Sequence, residues 1–287
     1  MFNKIIPTKI LNLFDLIRLN KPIGFMLLMW PSWFALAYIP ISSLELIIWY
    51  IYFFVGAFLM RSAGCIINDL VDIKIDNKIL RTADRPLTSK KITKTESIIF
   101  LLFLLFLSLI ILLQFKLNSI LIGLTSIPLV ILYPFLKRYT YWPQLGLGIV
   151  FSWGILIVSF QFLDQITYEF FLLYIGCIFW TLAYDTIYAY QDIEDDIKIN
   201  IKSTAVLFKN NGRVFVKFFY SLFLLFIGLL AFYSSKSFLS FIVIIPIIIG
   251  MNVYLNKWKL ESKESCYYFF NFNNLIGLFC FIFLLIF

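Results

Sequence analysis

Residues 60–76 read Met60-Arg61-Ser62-Ala63-Gly64-Cys65-Ile66-Ile67-Asn68-Asp69-Leu70-Val71-Asp72-Ile73-Lys74-Ile75-Asp76. They close an apolar run, from roughly 44 to 65, long enough to cross a hydrocarbon core about 30 Å thick. Greasy chain thus passes directly into a carboxylate stripe: Asn68, Asp72 and Asp76 recur every four residues, share one helical face, and have Asp69 beside it. A membrane helix ending in acids is the unit around which the rest of the chain is read.

The composition agrees with a membrane protein. Of 287 residues, 62% are hydrophobic and 14% charged, against about 25% charged in soluble domains. Runs of about 20 apolar residues recur at roughly 22 to 40, 44 to 65, 97 to 115, 118 to 136, 144 to 163, 168 to 189, 214 to 233, 237 to 255 and 267 to 287. The fold class expected is therefore all-α, a polytopic bundle of about nine transmembrane helices, forming a single domain over residues 1–287 with long charged loops at about 66–96 and 190–213. With the N-terminus cytoplasmic, the inner segments carry 21 Lys and Arg, beginning with Lys4 and Lys9, and the outer turns only Lys116 and Lys236. The net charge of +8 then reflects topology and anionic headgroups, not nucleic-acid binding. Histidine is absent, which removes imidazole bases, His-metal sites and Ser-His-Asp systems. Cys65, Cys177, Cys266 and Cys280 have no CxxC spacing and read as core residues. The N-terminus lacks the pattern of a cleaved signal peptide.

A second acidic segment reads Tyr184-Asp185-Thr186-Ile187-Tyr188-Ala189-Tyr190-Gln191-Asp192-Ile193-Glu194-Asp195-Asp196, with Asp185, Tyr188, Asp192 and Asp196 again on one helical stripe. One such cluster is ordinarily a solvated helix end; two with matched spacing at the same side call for a shared ligand. Like charges at this spacing repel, and a carboxylate in the bilayer costs about 2.5–3.5 kcal/mol. Mg²⁺ is the expected counter-charge, because hard cations take oxygen ligands and magnesium is commonly shared between carboxylates and substrate phosphates. A diphosphate clamped through metal between the clusters is the expected ligand.

Basic residues suited to phosphate oxygens follow each cluster: Arg81 and Arg85 after the first, Lys202 after the second. Arg61 lies two turns before Asn68, deeper in the membrane, so it either pairs with a nearby Asp or awaits a substrate carboxylate. Tyr133 and Lys137, with Arg138 next to them, stand at the inner mouth, where snorkelling is the alternative reading for the two bases.

These segments resemble the UbiA family of membrane-embedded aromatic prenyltransferases, and in particular the branch acting on 4-hydroxybenzoate in ubiquinone synthesis. Asn68-Asp69 through Arg81-Thr82-Ala83-Asp84-Arg85-Pro86-Leu87 looks like the first family signature, and Tyr184-Asp185 through Lys202-Ser203-Thr204 like the second. Arg18-Leu19-Asn20-Lys21-Pro22, Tyr133-Pro134-Phe135-Leu136-Lys137-Arg138 and Asn273-Asn274 also match. The resemblance implies helices around a central cavity and Mg²⁺ and diphosphate held by Asn68, Asp72, Asp192 and Asp196. Asp69, Asp76 and Asp195 stand behind them as supporting acids; Asp195 competes with Asp196 for the ligand position, and helical phase favours Asp196. Arg61 is expected at the hydroxybenzoate carboxylate and Lys137 with Tyr133 at the diphosphate. Arg138, Tyr188, Arg81, Arg85 and Lys202 complete the substrate-facing set. Asp72, Asp192 and Asp185 carry the chemistry, with Asp192 or released diphosphate as base and Asp185 at the phenol.

The partners implied are polyprenyl diphosphate, 4-hydroxybenzoate and membrane lipid, with no nucleic acid and no obligate protein partner. The location implied is a bacterial inner membrane with the site facing the cytoplasm, the mitochondrial inner membrane being the alternative. Haem, chlorophyll or naphthoate precursors are alternative acceptors within the family. An ion-coupled transporter is the reading from another class, but transporters keep their sites near the midplane, whereas these acids gather at one face.

Overall fold

The computed structural model describes residues 7–40, 43–79 and 81–287, and among them every regular element is helical. Lys4 lies outside the described residues. A short α1 (Thr8–Leu16) leads through α2 (Ile23–Ala37) into α3 (Ser43–Asp76). There follow α4 (Lys94–Leu112), α5 (Leu117–Tyr139), α6 (Pro143–Phe151), α7 (Trp153–Leu163) and α8 (Tyr168–Ala189). The chain finishes with α9 (Ile193–Lys198), α10 (Thr204–Phe208), α11 (Gly212–Ser235), α12 (Leu239–Tyr254), α13 (Lys263–Asn271) and α14 (Asn273–Ile286). Eight helical segments of 19 to 33 residues are long and apolar enough to cross a membrane, and α2, with 15 residues, is a further apolar helix. The expected bundle of about nine is present.

The boundaries that differ from expectation have physical reasons. α3 does not stop near residue 65 but runs 34 residues to Asp76, about 51 Å of helix against a 30 Å hydrocarbon core. Its last turns, Asn68 to Asp76, are therefore helix and not loop, which shortens the first long connection to residues 77–93. That connection ends in a capping box: Glu96 N–H donates to Thr93 Oγ1 at 3.2 Å, and Thr93 N–H donates to Glu96 Oε2 at 3.0 Å. The run from 144 to 163 is broken at buried Ser152 between α6 and α7, and the last run is broken at Phe272 between α13 and α14. After α8 a 3-10 turn, Tyr190–Asp192, interrupts the second acidic stripe before α9 resumes it.

α8 is the axis, packed against α2, α6, α7, α11 and α13. Trp180 on α8 lies flat on Phe223 of α11, with ring centroids 5.0 Å apart. One buried amide joins this centre to the C-terminal helices. Asn273 Oδ1 accepts from Trp180 Nε1 and Tyr220 Oη, both at 2.8 Å, and Asn273 Nδ2 donates to the carbonyls of Phe269 and Phe270. Every polar atom of that network has a partner, the condition under which a buried polar group is tolerated. α14 approaches α2 at Gly277, where an added Cβ would meet the Trp30 ring at 2.5 Å. All four cysteines are free and buried. By contrast Leu102, Phe106 and Ile242 project outward from α4 and α12, as side chains facing lipid do.

Candidate functional site

A cavity of about 670 Å³ opens among α2, α3, α4, α5, α6, α7 and the end of α8. Its wall changes character with depth. Leu109, Leu112, Leu124 and Ile127 line an apolar side formed by α4 and α5; Arg61, Gly24, Phe151 and Asp185 line the interior; Asn68, Asp72, Asp76, Asp192 and Asp196 line the charged end. The helical extension of α3 past the apolar slab and the turn after α8 bring the two acidic segments onto one hollow.

The chain's own bases tie these segments down. Arg81 grips Asp192 with both arms of its fork, Nε donating to Oδ1 at 2.8 Å and Nη2 to Oδ2, while Nη1 donates to Tyr188 Oη at 3.0 Å. Lys137 pairs with Asp72 Oδ2. Arg85 Nη1 bridges Asp69 Oδ1 at 3.0 Å and Asp76 Oδ2 at 2.7 Å, and Arg18 Nη2 reaches Asp69 Oδ1 at 2.7 Å. Carboxylates as buried as Asp69 (1% exposed) and Asp72 (0%) require such partners. Burial works against the Arg81 charge, but Tyr188 and Asp192 outweigh it and hold its pKa above the ordinary value.

Whether these residues fit a divalent cation is tested by what remains unsatisfied. Asp72 Oδ1 is buried without a hydrogen-bond partner among the described residues, and Arg138 Nη2 stands off at 3.8 Å. A buried carboxylate oxygen left without a partner calls for a cation or a donor. The facing groups, Asn68, Asp192 and Asp196, are all oxygen donors, the set a hard ion takes. Among the described residues no three acids or cysteines already converge as a cage. The donor set therefore fits a metal shared with ligand oxygens, as Mg²⁺ usually is.

A family model described as the UbiA prenyltransferase family matches residues 28–276. A 4-hydroxybenzoate octaprenyltransferase from Tolumonas auensis is 35% identical over 283 residues, covering 96% of each chain. The chain belongs to the UbiA prenyltransferase family. A second relative, the 4-hydroxybenzoate octaprenyltransferase of Marinomonas sp., is 39% identical over 271 residues, 92% of this chain and 93% of its own. Among solved structures, the apo form of a UbiA homolog from Aeropyrum pernix K1 superposes with a TM-score of 0.72 at 18% identity, covering 92% of this chain and 97% of that one. A UbiA homolog from Archaeoglobus fulgidus bound to GPP and Mg²⁺ gives 0.69 at 15% identity, covering 96% and 99%. At such identities the likeness speaks for the UbiA fold.

Of the residues singled out in the sequence, Arg61, Asn68, Asp72, Asp76, Arg81 and Arg85 lie on the cavity wall, as do Tyr133, Lys137, Asp185, Tyr188, Asp192 and Asp196. Lys202 reaches the wall, but its ammonium donates to the Tyr139 carbonyl at 3.1 Å. Asp69 and Asp195, expected as supporting acids, lie off the wall, and so does Arg138, which was expected to face substrate. Asp69 is behind it, held by Arg18 and Arg85; Asp195 turns toward Lys198, 3.7 Å away; Arg138 donates to the Val71 carbonyl at 3.0 Å. Arg138 thus braces the end of α3 and does not face the hollow. Among the described residues Arg61 forms no ion pair within 4.0 Å; it lies over the Phe151 ring at 5.6 Å and shares the cavity wall with Asp185. Two residues carried no assigned role beforehand. Arg18 joins the charged network from a left-handed backbone, φ 57°, an outlier visible in sequence only as part of the Arg18–Pro22 match. Gly24 makes room for Arg61, since a Cβ there would sit 2.7 Å from Nε.

Proposed function

We propose that this membrane prenyltransferase moves a polyprenyl group from polyprenyl diphosphate to the ring carbon ortho to the hydroxyl of 4-hydroxybenzoate, as a step of ubiquinone synthesis. The single observation that carries the reading is the polarity gradient of one cavity: facing carboxylates at one end, an unpaired guanidinium within, and an apolar side wall. The names of the relatives, 4-hydroxybenzoate octaprenyltransferase at 35–39% identity, support the acceptor.

In this reading Asn68, Asp72, Asp192 and Asp196 would hold Mg²⁺, which would supply charge neutralisation for the departing diphosphate. Arg81 and Lys137 exchange their present carboxylate partners for diphosphate oxygens, with Tyr133 beside them. The allylic C–O bond breaks and its electron pair leaves with the diphosphate. The aromatic wall, Phe151 and Tyr133 included, keeps water from the allylic carbon and supports its positive charge. Arg61 holds the acceptor carboxylate, which directs the ring carbon toward that carbon. Asp185 accepts a hydrogen bond from the phenol, making the ortho carbon more electron-rich. A C–C bond forms, and Asp192 or the departing diphosphate takes the ring proton. The tail lies along the apolar α4–α5 wall toward lipid, where its burial is favourable.

The Lys and Arg asymmetry of the loops and the bacterial origin of the relatives support a bacterial inner membrane with the charged end facing the cytoplasm. The test is product analysis. Membranes containing the protein, given 4-hydroxybenzoate, Mg²⁺ and polyprenyl diphosphates of several lengths, should yield carbon-prenylated hydroxybenzoate by mass spectrometry. Transfer to another acceptor, with none to 4-hydroxybenzoate, would refute the assignment.

A further inference from the structure

Gln191 belongs to the 3-10 turn between α8 and α9, is 6% exposed, and forms part of the cavity wall. Its amide nitrogen is buried and has no hydrogen-bond partner among the described residues. An unsatisfied buried donor is destabilising, and native folds keep one mainly where something else supplies the acceptor. The nearest carboxylate in sequence, Asp192, is committed to the two-armed Arg81 contact. A second amide, Gln144 at the start of α6, lines the same cavity. Its oxygen accepts from the Thr204 N–H at 3.0 Å, so its nitrogen is the end left for another partner.

The position of Gln191 narrows what that acceptor is. It adjoins Asp192, and Lys202 and Ser203 line the same hollow, whereas Arg61 lies seven residues before Asn68, about 10 Å deeper along α3. A ligand at the charged end must be rich in acceptors and carry no donors that Gln191 would repel. A diphosphate meets both conditions. We infer that Gln191 is a specificity-determining donor to the diphosphate of the prenyl substrate, a neutral contact among charged ones. The inference rests on the reading given under Proposed function and deepens it. A neutral amide reads the position of an oxygen without adding to the charge balance, so it favours a two-phosphate group that spans from the α3 carboxylates to the α8–α9 turn.

The experiment compares full-length protein in detergent, wild type against Gln191→Leu and Gln191→Glu, the latter nearly isosteric but presenting an acceptor. Binding of inorganic pyrophosphate with Mg²⁺ is measured by calorimetry, with steady-state KM values for both substrates alongside. Pyrophosphate affinity should fall about tenfold or more in Gln191→Leu and further in Gln191→Glu, with KM for hydroxybenzoate within about twofold of wild type. Should the leucine variant fail to fold, the glutamate variant carries the test. Unchanged pyrophosphate affinity overturns the inference, as does a rise in hydroxybenzoate KM in its place. An altered Mg²⁺ requirement also overturns it, because Gln191 would then act by holding Asp192. Orthophosphate should bind wild type at least about tenfold less well than pyrophosphate; equal binding would assign the amide to any phosphate group and overturn the two-phosphate reading. Wild type that binds no pyrophosphate would sink the proposed function itself, whereas binding that is indifferent to Gln191 sinks this inference alone.

Discussion

Gly24→Ala adds a single methyl group at buried Gly24, and its effect is calculable from one contact. The new Cβ would lie 2.7 Å from Arg61 Nε, 3.2 Å from Nη2 and 3.3 Å from Cζ. To restore an ordinary separation of 3.4 Å, the guanidinium must withdraw by about 0.7 Å, well within the reach of a flexible side chain. Gly24 lies in the first turn of α2, in a backbone conformation that alanine adopts, so the fold loses little; glycine-to-alanine exchange in a helix favours it by about 0.5–1 kcal/mol. Catalysis should lose much more, because misplacement of about 1 Å at a positioning group can cost about 100-fold. The expected outcome is a fall in kcat/KM for hydroxybenzoate of about 10- to 100-fold, equivalent to about 1.4–2.7 kcal/mol. KM for prenyl diphosphate and thermal stability should stay near wild type. The assay is steady-state transfer in detergent, repeated in Arg61→Ala and in the double variant. With the guanidinium removed, the methyl group has nothing to displace, so the double variant should be no worse than Arg61→Ala. Full activity in Gly24→Ala, or additive losses in the double variant, would refute the role given to Arg61.

Asp72→Ala and Asp192→Ala should each lower transfer by at least about 100-fold in the presence of Mg²⁺; near-normal turnover in either would defeat the shared clamp. EDTA should stop product formation and added Mg²⁺ restore it, measured as prenylated hydroxybenzoate over time. Turnover that survives chelation would refute the metal's part. Asn273→Leu should destabilise the bundle by about 2–6 kcal/mol, because the Trp180 and Tyr220 donors would both lose their acceptor. Thermal unfolding in detergent checks this, and an unchanged Tm would show that the network is dispensable.

The spans were legible because a run of about 20 apolar residues has no other common use; α8, Tyr168–Ala189, ends where hydropathy says it should. The continuation of α3 to Asp76 was not legible by that ruler, since hydropathy treats charged helix as loop. The four-residue recurrence of Asn68, Asp72 and Asp76 was the truer signal. The break at Ser152 leaves no trace, because the chain on either side is equally apolar, whereas the break at Phe272 falls where polar α13 meets apolar α14, among Asn271, Asn273 and Asn274. The acidic clusters announced a site, but their present counter-charges come from far along the chain. Arg81 meets Asp192 across 111 residues, and Lys137 meets Asp72 across 65. Spacing within a segment carries no information about such pairs. Arg138 illustrates the converse: adjacent to Lys137 in sequence, it points to a backbone carbonyl because neighbours on a helix diverge by about 100°. Gln191 gave no signal, since an amide becomes informative only when its burial and missing partner are known.

The central claim is that two acidic helix ends jointly hold metal and diphosphate. It is tested most directly by anomalous diffraction from crystals grown with Mn²⁺ and a non-hydrolysable prenyl diphosphate analogue. Metal peaks bonded to Asp72 on one side and to Asp192 or Asp196 on the other, bridged by the analogue's phosphates, are the expected result. A bound analogue whose metal touches only one cluster, or neither, would contradict the account.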